Sequence, residues 1–82
     1  MKHTKQNIYI VNNYNNNMVN EIKKNGEVIL KYLNYNENIT LTELTNKIKL
    51  SRGQIRVSVA FLLGAEKITE FKLGMAKVYN IK

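Results

Sequence analysis

The sequence predicts an α+β domain, three helices followed by a C-terminal β-hairpin, and three observations carry that prediction. Two segments that each open on a capping residue, from Thr40 and from Ser51, are amphipathic at helical period and lie only about three residues apart. After Glu66 the apolar residues stop recurring at helical steps and start to alternate, as they do in half-buried strands. Two alternating runs, Ile68–Phe71 and Ala76–Ile81, flank a short stretch containing Gly74, which is free to take the positive φ that a hairpin turn needs.

Residues 1–18 read as an Asn-rich arm. Asn at 12, 13, 15, 16 and 17 weakens helix and strand alike. Within the arm, Ile8-Tyr9-Ile10-Val11 is β-branched and aromatic. It suits either a disordered arm or a strand in which Ile8 and Ile10 pair with a sheet edge of the same or a neighbouring subunit. Residues 19–82 form the domain proper. Helix 1 is predicted over Val19–Asn34, with Val19, Ile22, Gly26, Ile29, Leu30 and Leu33 on one face and Lys23, Lys24, Glu27 and Lys31 outside it. A glycine inside a helix costs about 1 kcal/mol against alanine, and a close approach of another helix at Gly26 would justify it. The alternative is a break at Asn25-Gly26, but the apolar face keeps phase across it.

Asn34–Asn38 is a loop by composition, and Ile39 suits a strand of one or two residues. Thr40 and Glu43 have the spacing of a capping box, in which each side chain bonds the other's backbone N–H. Helix 2 then turns Leu41, Leu44 and Ile48 inward. Lys49 and Leu50 make the turn. Ser51 and Gln54 form a second capping box, and Ile55, Val59, Leu62 and Leu63 give helix 3 its inward stripe. Its other side carries Arg52, Gln54, Arg56 and Val57, then Ala60 and Phe61.

The bulk properties bound the function. At 82 residues there is room for one domain, and a chain of this size buries only roughly 60% of its unfolded surface, so dimerisation is one route to further burial. No cysteine is present, which removes disulfides and thiolate metal sites. Formal net charge is +7, from 13 basic and 6 acidic residues, and every acid is Glu. That balance favours a polyanion as partner, although an AT-rich coding sequence would enrich Lys along with Asn, Ile and Tyr. No apolar run approaches the length of a membrane span. The first residues hold an apolar run of only four, too short for a secretory leader. A cytoplasmic protein is the expectation.

The order helix, short strand, helix, helix, strand, strand resembles winged helix-turn-helix domains, and Leu50–Leu62 is similar to the turn and recognition helix of many bacterial and archaeal regulators, where Leu-Ser-x-x-x-hydrophobic recurs. A nearer likeness is to a family of very small bacterial winged-helix proteins to which no function is assigned. Its first helix follows E-I-x-x-x-A-G-x-I-W-x-x-L; here Glu21, Ile22, Ile29 and Leu33 match, Gly26 takes the small-residue position and Leu30 stands in place of Trp. Its third helix ends like G-W-L-A-R-E-D-K-I, to which residues 60–68 correspond. The likeness spans residues 20–81. It implies the fold, and either DNA binding or protein contacts, since winged helices host both.

Residues near the start of a recognition helix reach base edges in a major groove. Arg bonds guanine and Gln bonds adenine bidentately. The expected DNA-contact set is therefore Ser51, Arg52, Gln54 and Arg56 on helix 51–65, with Lys49, Lys72 and Lys77 on phosphates; a merely solvated helix face is the alternative. An exposed Val57, Ala60 and Phe61 strip, together with Ile8 and Ile10, would instead suit a protein interface. His3 has no neighbouring acid or second His, and no nucleophile–base pair or metal cluster can be assembled. No catalytic residue, metal, cofactor, small-molecule substrate or membrane is expected. The expected activity is that of a transcriptional regulator binding double-stranded DNA as a homodimer, with a protein-interaction domain as the alternative.

Overall fold

The computed structural model describes the backbone from Lys2 to Lys82 and the side chains from Met18 onward. Three helices, α1 (Lys2–Leu33), α2 (Leu41–Lys47) and α3 (Arg52–Gly64), precede two strands, β1 (Ile68–Leu73) and β2 (Ala76–Ile81). The architecture is α+β, with an antiparallel hairpin after the helices. Helix α1 takes in the stretch expected as a separate arm, so it opens well before Val19. No proline or glycine interrupts the sequence between Lys2 and Asn25, so nothing there forbids a helix. The pairing expected of Ile8 and Ile10 lies outside the described side chains.

The core draws on every element. Ile29 and Leu33 come from α1, Leu44 from α2, Ile48 from its C-cap, Ile55, Val59 and Leu62 from α3, and Ile68 and Tyr79 from the two strands. Helix α1 keeps phase across Gly26. A Cβ built on that glycine would stand 3.3 Å from Leu62 Cδ2, so the residue marks where α3 crosses α1 closely. Beside it Ser58 is fully buried, and its Oγ donates to the Ile22 carbonyl at 3.3 Å. The inward face of α1 fades toward the N-terminus. Val19, expected to face inward, is 38% exposed, and among the described residues no core residue of α1 precedes Ile29.

The caps differ from one another. At α3 both halves of the box form: Gln54 N–H donates to Ser51 Oγ at 3.1 Å, and Ser51 N–H donates to Gln54 Oε1 at 3.0 Å. At α2 only half forms. Glu43 N–H donates to Thr40 Oγ1 at 3.1 Å, but the Glu43 carboxylate turns away and accepts the Tyr32 hydroxyl of α1 at 2.8 Å. The expected second capping box is thus replaced by a tie between α1 and α2. Helix α3 closes on a doubled bond pattern, Lys67 N–H to the Leu62 carbonyl and Glu66 N–H to that of Leu63. This Schellman closure places Glu66 at φ +58, a conformation that glycine takes most readily.

The hairpin is longer than the sequence suggests. Lys72 and Leu73, read as turn residues, belong to β1, and Leu73 pairs with Ala76 across a two-residue turn. Gly74 takes φ +67 while Met75 does not go positive, the pattern of a type II′ turn whose twist suits a hairpin. Ile39 contributes a one-residue bridge to the far edge of β2, exchanging both backbone bonds with Tyr79 at 3.1 and 2.8 Å. Asn38 and Asn80 clamp the same junction through two further bonds of 2.8 and 2.9 Å. Among the described residues no helix is long and apolar enough to cross a membrane.

Candidate nucleic-acid interface

Alternation along the hairpin gives it two faces. Ile68, Glu70, Lys72, Lys77 and Tyr79 share one, and Phe71, Leu73, Ala76 and Val78 share the other. The first face turns toward α3. Between them runs an open groove of about 510 Å³. Arg52, Arg56 and Ala60, at steps of one helical turn, form its α3 wall; Glu70, Lys77 and Tyr79 form the hairpin wall; Thr40 and Thr42, at the start of α2, close one side. Arg52, Arg56 and Lys77 are all exposed. Three cations therefore meet one carboxylate.

That carboxylate is engaged. Tyr79 lies directly opposite Glu70 in the ladder, and its hydroxyl donates to Glu70 Oε2 at 2.8 Å. Burial pushes the Tyr79 hydroxyl up to about 12, the Glu70 carboxylate adds to the shift, and Arg56 opposes it. Tyr79 is consequently a neutral donor at any ordinary pH. It holds Glu70 on the hairpin wall and leaves the arginines free of a carboxylate partner: the ion pair found among the described residues is Lys82 with Glu66 at 2.9 Å, elsewhere on the surface.

The expected contact residues separate into three groups. Arg52, Arg56 and Lys77 converge on the groove. Lys49, Ser51 and Lys72 are exposed outside it. Lys72 stands directly across the ladder from Lys77, a like-charge pair that repels by a few tenths of a kcal/mol or more. Gln54 falls on the opposite side of α3, toward α1, and its carbonyl oxygen is committed to the Ser51 cap. It cannot bond adenine bidentately without breaking that cap. The Val57, Ala60 and Phe61 strip also divides. Ala60 lines the arginine groove, Val57 is half-exposed on the α1 side, and Phe61 is half-buried against the core.

Sequence reasoning missed Glu70, Thr40 and Thr42 as wall residues. The alternation from Ile68 does put Glu70 on the inward-leaning face, so that signal was present; the position of the start of α2 beside β2 follows from the Ile39 bridge and had none. Among the described residues no group of three acidic or imidazole side chains comes together. No protein-family model, curated protein or solved structure matches this chain.

Proposed function

We propose that this chain is a winged-helix DNA-binding protein, a transcriptional regulator that reads the major groove with α3 and acts as a homodimer. The observation that carries the reading is the meeting of Arg52, Arg56 and Lys77 around one open groove, with the local acid already bonded to Tyr79. Arg52 and Arg56 stand on the first turns of a firmly capped helix, the part that approaches base edges in such domains. Their guanidiniums would bond guanine or phosphate. Lys72 and Lys77 would contact phosphates from the hairpin, and an anion between them would relieve their mutual repulsion. Lys49 and the Ser51 hydroxyl would meet the backbone at the entry to α3. Gln54 has no place in this contact set. The element order and the Ile39 bridge support the winged-helix assignment, and the net charge of +7 supports a polyanionic partner.

Duplex binding measured by fluorescence anisotropy across a salt series tests the reading. If each subunit neutralises about four phosphates, the logarithm of the binding constant should fall against the logarithm of salt with a slope near −7 for a dimer. Arg56→Glu should reduce duplex affinity at low salt by about tenfold or more, since one charge-assisted contact is worth about 1.5–3 kcal/mol. Absence of any duplex binding at low salt would end the proposal. A protein-interaction domain is the second reading, favoured by the half-exposed Val57 on the α1 side; under it Arg56→Glu leaves partner binding intact.

A further inference from the structure

Away from the arginine groove, the described surface has a second concavity, lying between α1 and the first turns of α3 and lined mostly by apolar atoms. Its floor is the end of the α1–α3 seam. There Ser58 bonds the Ile22 carbonyl, and one turn further Gly26 lets Leu62 pack close. Met18 of α1 and Val57 of α3 both line this concavity and are 50% and 49% exposed.

The sequence of α1 supplies a candidate occupant. Ile8, Val11, Asn15, Met18 and Ile22 follow one another at steps of three, four, three and four. That is the spacing of core positions in a two-stranded coiled coil, where a single Asn commonly fixes register and pairing. Ile22 and Met18 lie at the groove, while Ile8 and Val11 fall on α1 beyond it. The chain's own Ile8–Met18 segment cannot fold back into the groove, because α1 is continuous from Lys2 to Leu33. A second copy's segment can. It fits in charge as well: residues 1–17 include Lys2 and Lys5 and no acid, and the charged residue of the groove lining is Glu21.

We propose that the α1–α3 groove is a homodimer seam, occupied by the Ile8–Met18 segment of α1 from a second copy of this chain. The seam stands whether or not the arginine groove binds DNA. Its residues are separate from Arg52, Arg56 and Lys77, so assembly leaves those side chains open.

Sedimentation equilibrium of the full chain tests it. The wild type should sediment at twice the monomer mass at micromolar concentration. Val57→Glu and Ile8→Lys should each halve the mass while keeping the far-ultraviolet circular dichroism of the wild type. Mixing the two variants should restore the dimer, since the new carboxylate on one copy meets the new ammonium on the other. Should Val57→Glu lose its helical signal, Met18→Glu, at another half-exposed position, carries the same expectation. A monomeric wild type overturns the proposal. So does a Val57→Glu and Met18→Glu pair that stays dimeric, an Ile8→Lys variant that stays dimeric while Val57→Glu does not, or a mixture that remains monomeric.

Discussion

At the scale of single residues, Tyr79 joins the core to the charged groove. Its side chain belongs to the shared core, its backbone pairs with Ile39, and its hydroxyl holds Glu70. Because burial raises its ionisation from the ordinary 10.0 to about 12, the folded state resists losing that proton more than the unfolded chain does. The contribution of the neutral phenol is therefore complete below pH 10 and is lost as pH climbs through 12. Tyr79→Phe should cost about 1 kcal/mol at neutral pH, the usual worth of one internal hydrogen bond. It should also flatten the loss of stability between pH 10 and 12, leaving the smaller share due to Tyr32, whose hydroxyl is raised by its bond to Glu43. Chemical denaturation at stepped alkaline pH reads both effects; an unchanged alkaline slope would show that Tyr79 does not couple to folding. Glu66 is the second informative residue. It holds a left-handed conformation at the end of α3, which costs a side-chain-bearing residue about 1 kcal/mol or more. Its ion pair with Lys82 is exposed on both partners and offsets little of that. Glu66→Gly should accordingly raise the melting temperature by a few degrees, about 0.5 kcal/mol of net stabilisation, and calorimetry would check the sign.

At the scale of elements, what was legible in the sequence is what local chemistry decides. Ser51 and Gln54 gave the start of α3 because a capping box needs nothing beyond its own four residues, and Gly74 gave the hairpin turn for the same reason. Thr40 and Glu43 have equivalent spacing, yet Glu43 bonds Tyr32 from another helix; spacing along the chain carries no trace of that competitor. Phe61 and Val57 looked alike on a helical wheel, and only the packing of neighbouring elements makes one half-buried and the other half-exposed. The groove was legible in part. Arg52 and Arg56 share a face by helical period, whereas the approach of Lys77 depends on a register of the hairpin that the sequence leaves open by one or two residues. Gly26 was legible as a crossing point, and it permits a measurement. Gly26→Ala gains about 1 kcal/mol of helix propensity but sets a Cβ 3.3 Å from Leu62 Cδ2, so the two should nearly cancel. Gly26→Val has no such gain and overpacks the crossing, costing about 1–3 kcal/mol. A denaturation midpoint that falls equally for both would mean the helix propensity gain is absent; one that falls for neither would mean the crossing is looser than a 3.3 Å approach implies.

At the scale of the whole molecule, the three helices and the hairpin separate two surfaces. Successive exposed positions on α3 alternate between them: Arg52, Arg56 and Ala60 look toward the hairpin, and Gly53, Gln54 and Val57 toward α1. If the first surface holds DNA and the second a partner subunit, the two activities are coupled through a helix of 13 residues. A dimer carries twice the charge of a monomer into one duplex, so losing the seam should change the form of the salt dependence as well as the affinity. Val57→Glu supplies the test, because it leaves Arg52, Arg56 and Lys77 untouched. For a monomer the slope should shrink from near −7 to about half that value, and affinity at low salt should drop by far more than one added negative charge explains. Arg56→Glu, by contrast, should weaken binding while the protein remains dimeric, with a slope reduced by about two at most. Parallel anisotropy and sedimentation measurements on both variants distinguish the two. If Val57→Glu leaves the slope unchanged while the protein turns monomeric, then each subunit binds alone, and the duplex is not engaged by paired copies.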